Sequence, residues 1–503
     1  METLKELVSL LSIQKVKQIN LITEDSDVPY KIKQLYDKIA SGEIKSDEEA
    51  KNILYPDNNS DKSYSILKNR LKERLINTLF FIDINQYSKS AYEVALHKIR
   101  RNTAAFTLLL DRGKRTSSIE LAEKTLKLAL KYDDIESVLY LSKQVRKHYT
   151  IYAYDKKKKT YYSNLMHEYL DYYQQEIQAE NLYQELAHAV LHNLDINEIV
   201  KDNQFNLINI VYNQKTNKNY FFNFYAYNAL YFIKLGDRKY EELLELTEES
   251  IEFYKSKVGF SLVAIFDQLF KKGYALLNLG RIEEALNTFE MCREMGPKPG
   301  NISWFNIHAY ICMTAILLKK YDYAVEIFNI TSRNPNFSDL HETFKEPWLV
   351  KEAYLNFIAK LGKLSDHAEA LEGKFKIGRF LNEVPLYSKD KRGYNIAILI
   401  IQMLFFLMDK KYSRFIDRMD ALNQYSYRYL RNDDSLRSNC FVKMILKIPD
   451  ANYHPLRLKR HVEKFYKTLI NTPPNIREQS SNIEIIPYEH LWELVLELLE
   501  NKK

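Results

Sequence analysis

No proline stands between Pro56 and Pro297, and few glycines do. Proline clashes with the preceding helical turn and removes a hydrogen-bond donor, while glycine weakens a helix through its backbone entropy. A stretch this long that lacks the first, has little of the second and is rich in Leu, Glu, Lys and Ala can run as helix almost from end to end. Hydrophobic residues recur along it at helical spacing, with no sustained alternation of the strand type. The predicted fold class is therefore all-α; only the apolar patch from Gln18 to Ile22 is left open. With 503 residues, of which 46% are hydrophobic, there is ample material for a packed core.

Texture divides the chain into three. Residues 1–84 read as a small helical module, its short helices separated by the turn-rich pieces EDSDVP, SGEIKSDEE and YPDNNSDKS. Ser46 followed by Glu49 predicts a capping box opening a helix over Asp47 to Leu54. In YSILKNRLKERLINTLFFID, Leu67, Leu71, Leu75 and Leu79 make one stripe, with Lys68, Arg70, Lys72 and Arg74 off it. Residues 85–470 read as long helix, brief turn, long helix, with turns at 111–113, 235–237 and 410–411. Separate helical segments are read in TYYSNLMHEYLDYYQQEIQ and NLYQELAHAVLHNL. Residues 471–503 read as an extended linker, Thr472 to Pro487, and a closing helix, Tyr488 to Glu500. Its Leu491, Leu494 and Leu498 form a capping face.

Within the second region, Phe266 to Pro297 reads FDQLFKKGYALLNLGRIEEALNTFEMCREMGP. Gly273 is a small residue in a first helix; Ala285 and Phe289 pair in a second; Pro297 follows. Ala324 and Phe328 reproduce the Ala285 and Phe289 pair in the next hairpin, where Cys312 replaces Gly273. These residues resemble the tetratricopeptide repeat (TPR) family in its divergent bacterial form. The resemblance is specific over Phe266 to Pro297 and fair over Phe305 to Pro335. It implies an irregular α-solenoid of helical hairpins, because one hairpin cannot bury its apolar face alone. It also implies a groove, lined by first helices, that holds a protein or peptide. By position that groove is lined by Asp267, Phe270, Tyr274 and Asn278 in one hairpin, and by Asn306, Ala309, Met313 and Leu317 in the next. Ordinary core between hairpins is the competing account of Phe270, Met313 and Leu317.

Charge is uneven. Lys and Arg outnumber Asp and Glu nine to five from Lys51 to Arg100, and fourteen to seven from Arg101 to Thr160, in a chain whose net charge is +7. Such clustering suits phosphates. SDEEAKNILYPD and YSILKNRLKERL resemble a helix-turn-helix pair. The candidate nucleic-acid contacts are Lys68, Arg70, Lys72, Arg74, Arg100, Arg101, Arg112, Lys114 and Arg115. Solvated lysine-rich helix faces are the plainer reading of the same residues.

Catalysis finds little support. GxxxxGK[ST], GxGxxG and GxSxG do not occur, so phosphate loops and serine-hydrolase elbows are unsupported. Glu185, His188 and His192 share a helix face, but no second ligand cluster accompanies them. A metal-bearing pocket there is the enzyme alternative. Cys292, Cys312 and Cys440 are too scattered for a disulfide framework, and the first two fall at small-residue positions, as core thiols would. The N-terminus lacks the pattern of a signal peptide, and NIAILIIQMLFFLMD is too short to span a bilayer. The expectation is a cytoplasmic, non-enzymatic adaptor, scaffold or sensor with no cofactor and no metal. Its partner would be a protein or peptide, with nucleic acid the alternative and the membrane excluded.

Overall fold

A computed structural model of the chain describes residues 1–13, 30–56, 61–79, 84, 90–192, 194–257, 259, 262–365, 371, 375–383, 395–429, 436–472 and 484–500. The patch from Gln18 to Ile22 lies outside them. Among the described residues every regular element is a helix, so the fold is all-α. No described helix is long and apolar enough to cross a membrane. The helices collect into two compact units. The first comprises residues Met1–Leu182, Gln204–Ala226 and Lys257–Ser261; the second comprises Tyr183–Asn203, Tyr227–Ser256 and Leu262–Lys503.

The first unit begins with α1 (Glu2–Ile13), α2 (Tyr30–Ala40), α3 (Asp47–Leu54) and α4 (Asp61–Leu79). They share a core of Leu4, Val8, Ile32, Leu35, Leu71 and Leu75. The capping box is present: the Glu49 amide donates to Ser46 Oγ at 3.2 Å, and the Ser46 amide donates back to Glu49 Oε2 at 3.2 Å. Next come α5 (Ala91–Asp111), α6 (Arg115–Lys131) and α7 (Ile135–Ile151). Their core holds Ile99, Phe106, Ala122, Leu126, Ala129 and Val138. Helix α8 runs unbroken over Lys156–His192, 37 residues. The two segments read separately there are one helix, because neither proline nor glycine interrupts them. In chain order α9 (Ile196–Asp202), α10 (Gln204–Gln214) and α11 (Tyr220–Gly236) follow; α8 and α11 contribute to both units.

The second unit continues with α12 (Tyr240–Ser256), α13 (Leu262–Asn278), α14 (Ile282–Glu294), α15 (Ile302–Leu317), α16 (Tyr321–Ser332), α17 (Glu342–Lys360) and α18 (Ile377–Glu383). It closes with α19 (Asn395–Met408), α20 (Tyr412–Tyr429), α21 (Leu436–Leu446), α22 (Pro455–Asn471) and α23 (Tyr488–Glu500). Each packs chiefly on its neighbours in the chain. The small residue of α13 has a steric reason. A Cβ on Gly273 would stand 2.6 Å from the Phe289 ring of α14, so only glycine lets that ring reach the backbone. One hairpin later Cys312 occupies the equivalent place, fully buried, its Sγ 3.6 Å from the Ala324 carbonyl oxygen. The three cysteines are free and buried, and burial pushes the thiols of Cys292 and Cys312 up to about 12.

One turn recurs between helices. Gly280 has φ +75 and Lys319 has φ +59. In each case the next amide reaches back five residues, from Arg281 to Leu276 at 3.0 Å and from Lys320 to Ala315 at 2.9 Å. This is the Schellman closure, which satisfies the orphan carbonyls of the preceding helix. The same closure ends α5 at Gly113, α11 at Arg238 and α19 at Lys410. Glycine adopts this conformation freely; a lysine or arginine does so at a cost of about 1 kcal/mol.

On α23, Leu491 and Leu494 are buried and Leu498 is half-buried, so this leucine face packs inward. Most of the segment read as a linker, residues 473–483, lies outside the described residues. Its far end is not linker-like: Ile485 and Ile486 are buried core.

Candidate functional site

Helices α13 and α15 each keep one stripe half-exposed. On α13 it is Asp267, Phe270, Tyr274 and Asn278; on α15 it is Asn306, Ala309, Met313 and Leu317. The spacing i, i+3, i+7, i+11 places each set on one helix face. The two stripes are joined by Tyr310 of α15, whose ring lies 5.1 Å from that of Phe270 and 6.3 Å from that of Tyr274, edge-on to both. Phe270 in turn leans on Phe289, 5.7 Å away. The close approach at Gly273 therefore seats the ring that supports the stripe. Phe270, Tyr274, Met313 and Leu317 all pack partly against the main core, so each has one side in the core and one side outside it.

The polar groups of this face are unequal. Asp267 accepts from Lys271 at 2.6 Å, and the same ammonium donates to Asn228 Oδ1 of α11 and lies 4.9 Å from the Tyr231 ring centre. Lys271 is thus held by three helix-borne groups, with only 11% of its side chain exposed. Burial, then the neighbouring Tyr274 and Asp267, raises the Tyr231 phenol well above its ordinary range. Tyr183 is raised for the same two kinds of reason, burial first and then Asp267, and its ring stacks on Phe232 at 6.0 Å. The two asparagines differ. Asn278 spends its amide on the Tyr274 carbonyl of its own helix, at 2.9 Å. The Asn306 side chain has no hydrogen-bond partner among the described residues. Sequence spacing finds Asp267 and the stripe. It does not find Asn228 or Tyr231, which reach Lys271 from another helix more than 35 residues away in the chain.

The candidate basic residues lie on α4, α5, the α5–α6 turn and the start of α6. Arg70, Lys72, Arg100, Arg101, Arg112 and Lys114 are exposed, and Arg74 and Arg115 half-exposed. Lys68 is committed elsewhere: it donates to Asp47 at 2.8 Å, beside a bond of 2.7 Å from the Tyr64 hydroxyl. Burial works to raise the Asp47 carboxyl, but the bonds from Lys68 and Tyr64 prevail and hold it well below the usual carboxylate range. In the helix-turn-helix reading Lys68 would face phosphate; here it ties α4 to the start of α3. Burial, with the charges of Arg101 and Arg100, pushes the His97 imidazole down.

The histidine pair of α8 is in contact, ring centres 4.4 Å apart. Glu185 accepts instead from Asn203 Nδ2 at 2.8 Å, and no group of three or more His, Cys, Asp or Glu side chains is placed to hold a metal ion among the described residues. Asp134 caps α7, accepting from the Ser137 amide at 3.2 Å; Asp133 is bonded by Lys257 at 2.6 Å and by the Tyr220 amide at 3.1 Å. These carboxylates are structural. Comparison with known proteins gives no match of this chain to a family model, to a curated protein or to a solved structure.

Proposed function

We propose that the chain is a non-catalytic binding protein, an adaptor, scaffold or sensor of TPR-like type, which holds an extended peptide or a protein segment on the α13–α15 face. One observation carries this reading: two neighbouring helices each leave half-exposed a stripe that mixes aromatic, thioether and amide groups. Rigid aromatic rings anchor a partner at small entropic cost, and an uncommitted amide such as that of Asn306 satisfies a peptide backbone. Recognition would begin with a side chain lodged between Tyr274 and Met313, with Asn306 holding the adjacent peptide bond. The Lys271–Asp267 pair sets the polarity of one end of the face.

Selection of a displayed peptide library on the full chain tests this. The expected result is a family of peptides whose affinity falls about tenfold or more with Tyr274→Ala, Asn306→Ala or Met313→Ala, as interface anchors do. Failure to enrich any peptide, or enrichment indifferent to all three substitutions, overturns the reading.

A further inference from the structure

The α5–α6 and α7–α8 turns of the first unit meet. The guanidinium of Arg115, at the start of α6, lies 3.5 Å from the centre of the Tyr152 ring, which follows α7. His148 stacks near-parallel on the same tyrosine, ring centres 6.5 Å apart. This contact brings two stretches together, RGKR at 112–115 and YAYDKKKKTYY at 152–162. The meeting point is firmly built. Glu123 of α6 accepts from Tyr149 and Tyr162 at 3.0 Å each, and Lys158 donates to the Tyr149 hydroxyl at 2.6 Å.

Around that point the side chains are exposed and cationic. Arg112, Lys114, Lys156, Lys157 and Lys159 are exposed and have no ion pair among the described residues. Tyr154 is 70% exposed and Tyr161 55%. The placement of the cations runs against local helix stability. A helix N-terminus carries partial positive charge and favours acids in its first turn, yet the first turns of α6 and α8 contain none, and α8 has a single carboxylate cap, Asp155, which accepts from the Lys158 amide at 3.0 Å. In α12 and α14 that place is held by Glu241–Glu242 and Glu283–Glu284. Five exposed cations and two exposed aromatic rings, carried by the stretches that this contact brings together, form a surface for an anionic chain bearing flat bases.

We propose that this end of the first unit binds single-stranded nucleic acid. Lys156, Lys157, Lys159, Arg112 and Lys114 hold phosphates, and Tyr154 and Tyr161 stack unpaired bases. Cations alone would serve a duplex or an anionic membrane equally well; the exposed rings favour a single strand, because only unpaired bases offer their faces. The site shares no residue with the α13–α15 face and stands whether or not that face binds a peptide.

Fluorescence anisotropy on the full chain decides it, with labelled oligo(dT) and oligo(U), a duplex of equal length, and phosphatidylserine vesicles as competitor. Single strands should bind more tightly than duplex. Joint substitution of Lys156→Glu, Lys157→Glu and Lys159→Glu should weaken binding more than about tenfold and flatten its salt dependence. Tyr154→Ala should weaken it about fivefold while leaving the salt slope unchanged. All four residues are exposed, and unchanged circular dichroism confirms that the variants fold. Absence of binding at low salt, indifference to Tyr154→Ala, or preference for duplex or vesicles overturns the proposal.

Discussion

The Glu484 carboxylate is buried and Glu176 is half-buried with one carboxyl oxygen out of water, one in each compact unit, and of the two only Glu484 is bonded to a cation. Burial pushes the Glu484 carboxyl above its ordinary range, and Arg437 acts against that push. Arg437 donates Nε to Glu484 Oε1 at 2.6 Å and Nη2 to Oε2 at 2.9 Å. Its remaining donors reach Glu489 and the carbonyls of Leu469 and Thr472. The cluster ties α21 to the end of α22 and the start of α23. Glu176, on α8, has no such partner. Its Oε2 is buried without a hydrogen bond, and burial, followed by repulsion from Glu180, Glu136, Asp134 and Asp133, raises its carboxyl to about 7. Burying a charge demands an answer: a second charge in one unit, a retained proton in the other.

Removing the cation should have the largest effect. Arg437→Met leaves Glu484 buried and unpaired, and should cost about 3–5 kcal/mol in urea unfolding. Adding Glu484→Gln to that variant should recover part of the loss; no recovery would mean that the bonds to Leu469 and Thr472, and not the charge pair, hold this region.

A second substitution inverts the test. Glu176 titrates at 4.5 when unperturbed and at about 7 in the folded protein, so folding favours its protonated form. That contribution is complete below the ordinary value and is lost as pH rises through 7. At pH 8, Glu176→Gln should therefore stabilise the protein by about 2–3 kcal/mol. At pH 4 it should do almost nothing. Equal effects at both pH values would refute the shift.

Gly273→Ala separates packing from charge. It pushes a methyl group into the Phe289 ring and should cost about 1–3 kcal/mol, equally at pH 4 and pH 8. The smallest effect belongs to Glu180→Gln, which removes one repelling neighbour of Glu176. It should stabilise by less than about 1 kcal/mol at pH 8 and move the Glu176 titration, followed by carbon-detected magnetic resonance, towards its ordinary value.

Parts of this architecture are legible without coordinates. The helix over Asp47 to Leu54 follows from Ser46 and Glu49, and the closing helix over Tyr488 to Glu500 from its leucine spacing, because capping and amphipathic periodicity are local. The steric need at Gly273 can be suspected from its neighbours in sequence, since Phe289 lies only one helix away. Other features are hidden. Lys319, Lys410 and Arg238 adopt the left-handed turn that sequence reasoning reserves for glycine, because the helices on either side hold them there. Lys68 reads as an exposed cation on a helix face and is instead spent on Asp47. The tyrosines beside the lysine run at 156–159 are just a compositional excess until Arg115 is seen resting on Tyr152.

The sequence by itself therefore determined that this chain folds as helices, and it bounded the helices over Asp47 to Leu54 and Tyr488 to Glu500. Those properties depend on residues within a turn or two of each other. Only the tertiary structure decided which charges are answered and which side chains remain available. Arg437 and Glu484 are 47 residues apart, and Lys271 and Asn228 are 43 apart. Whether such groups meet depends on how whole helices pack, which no short stretch of sequence records.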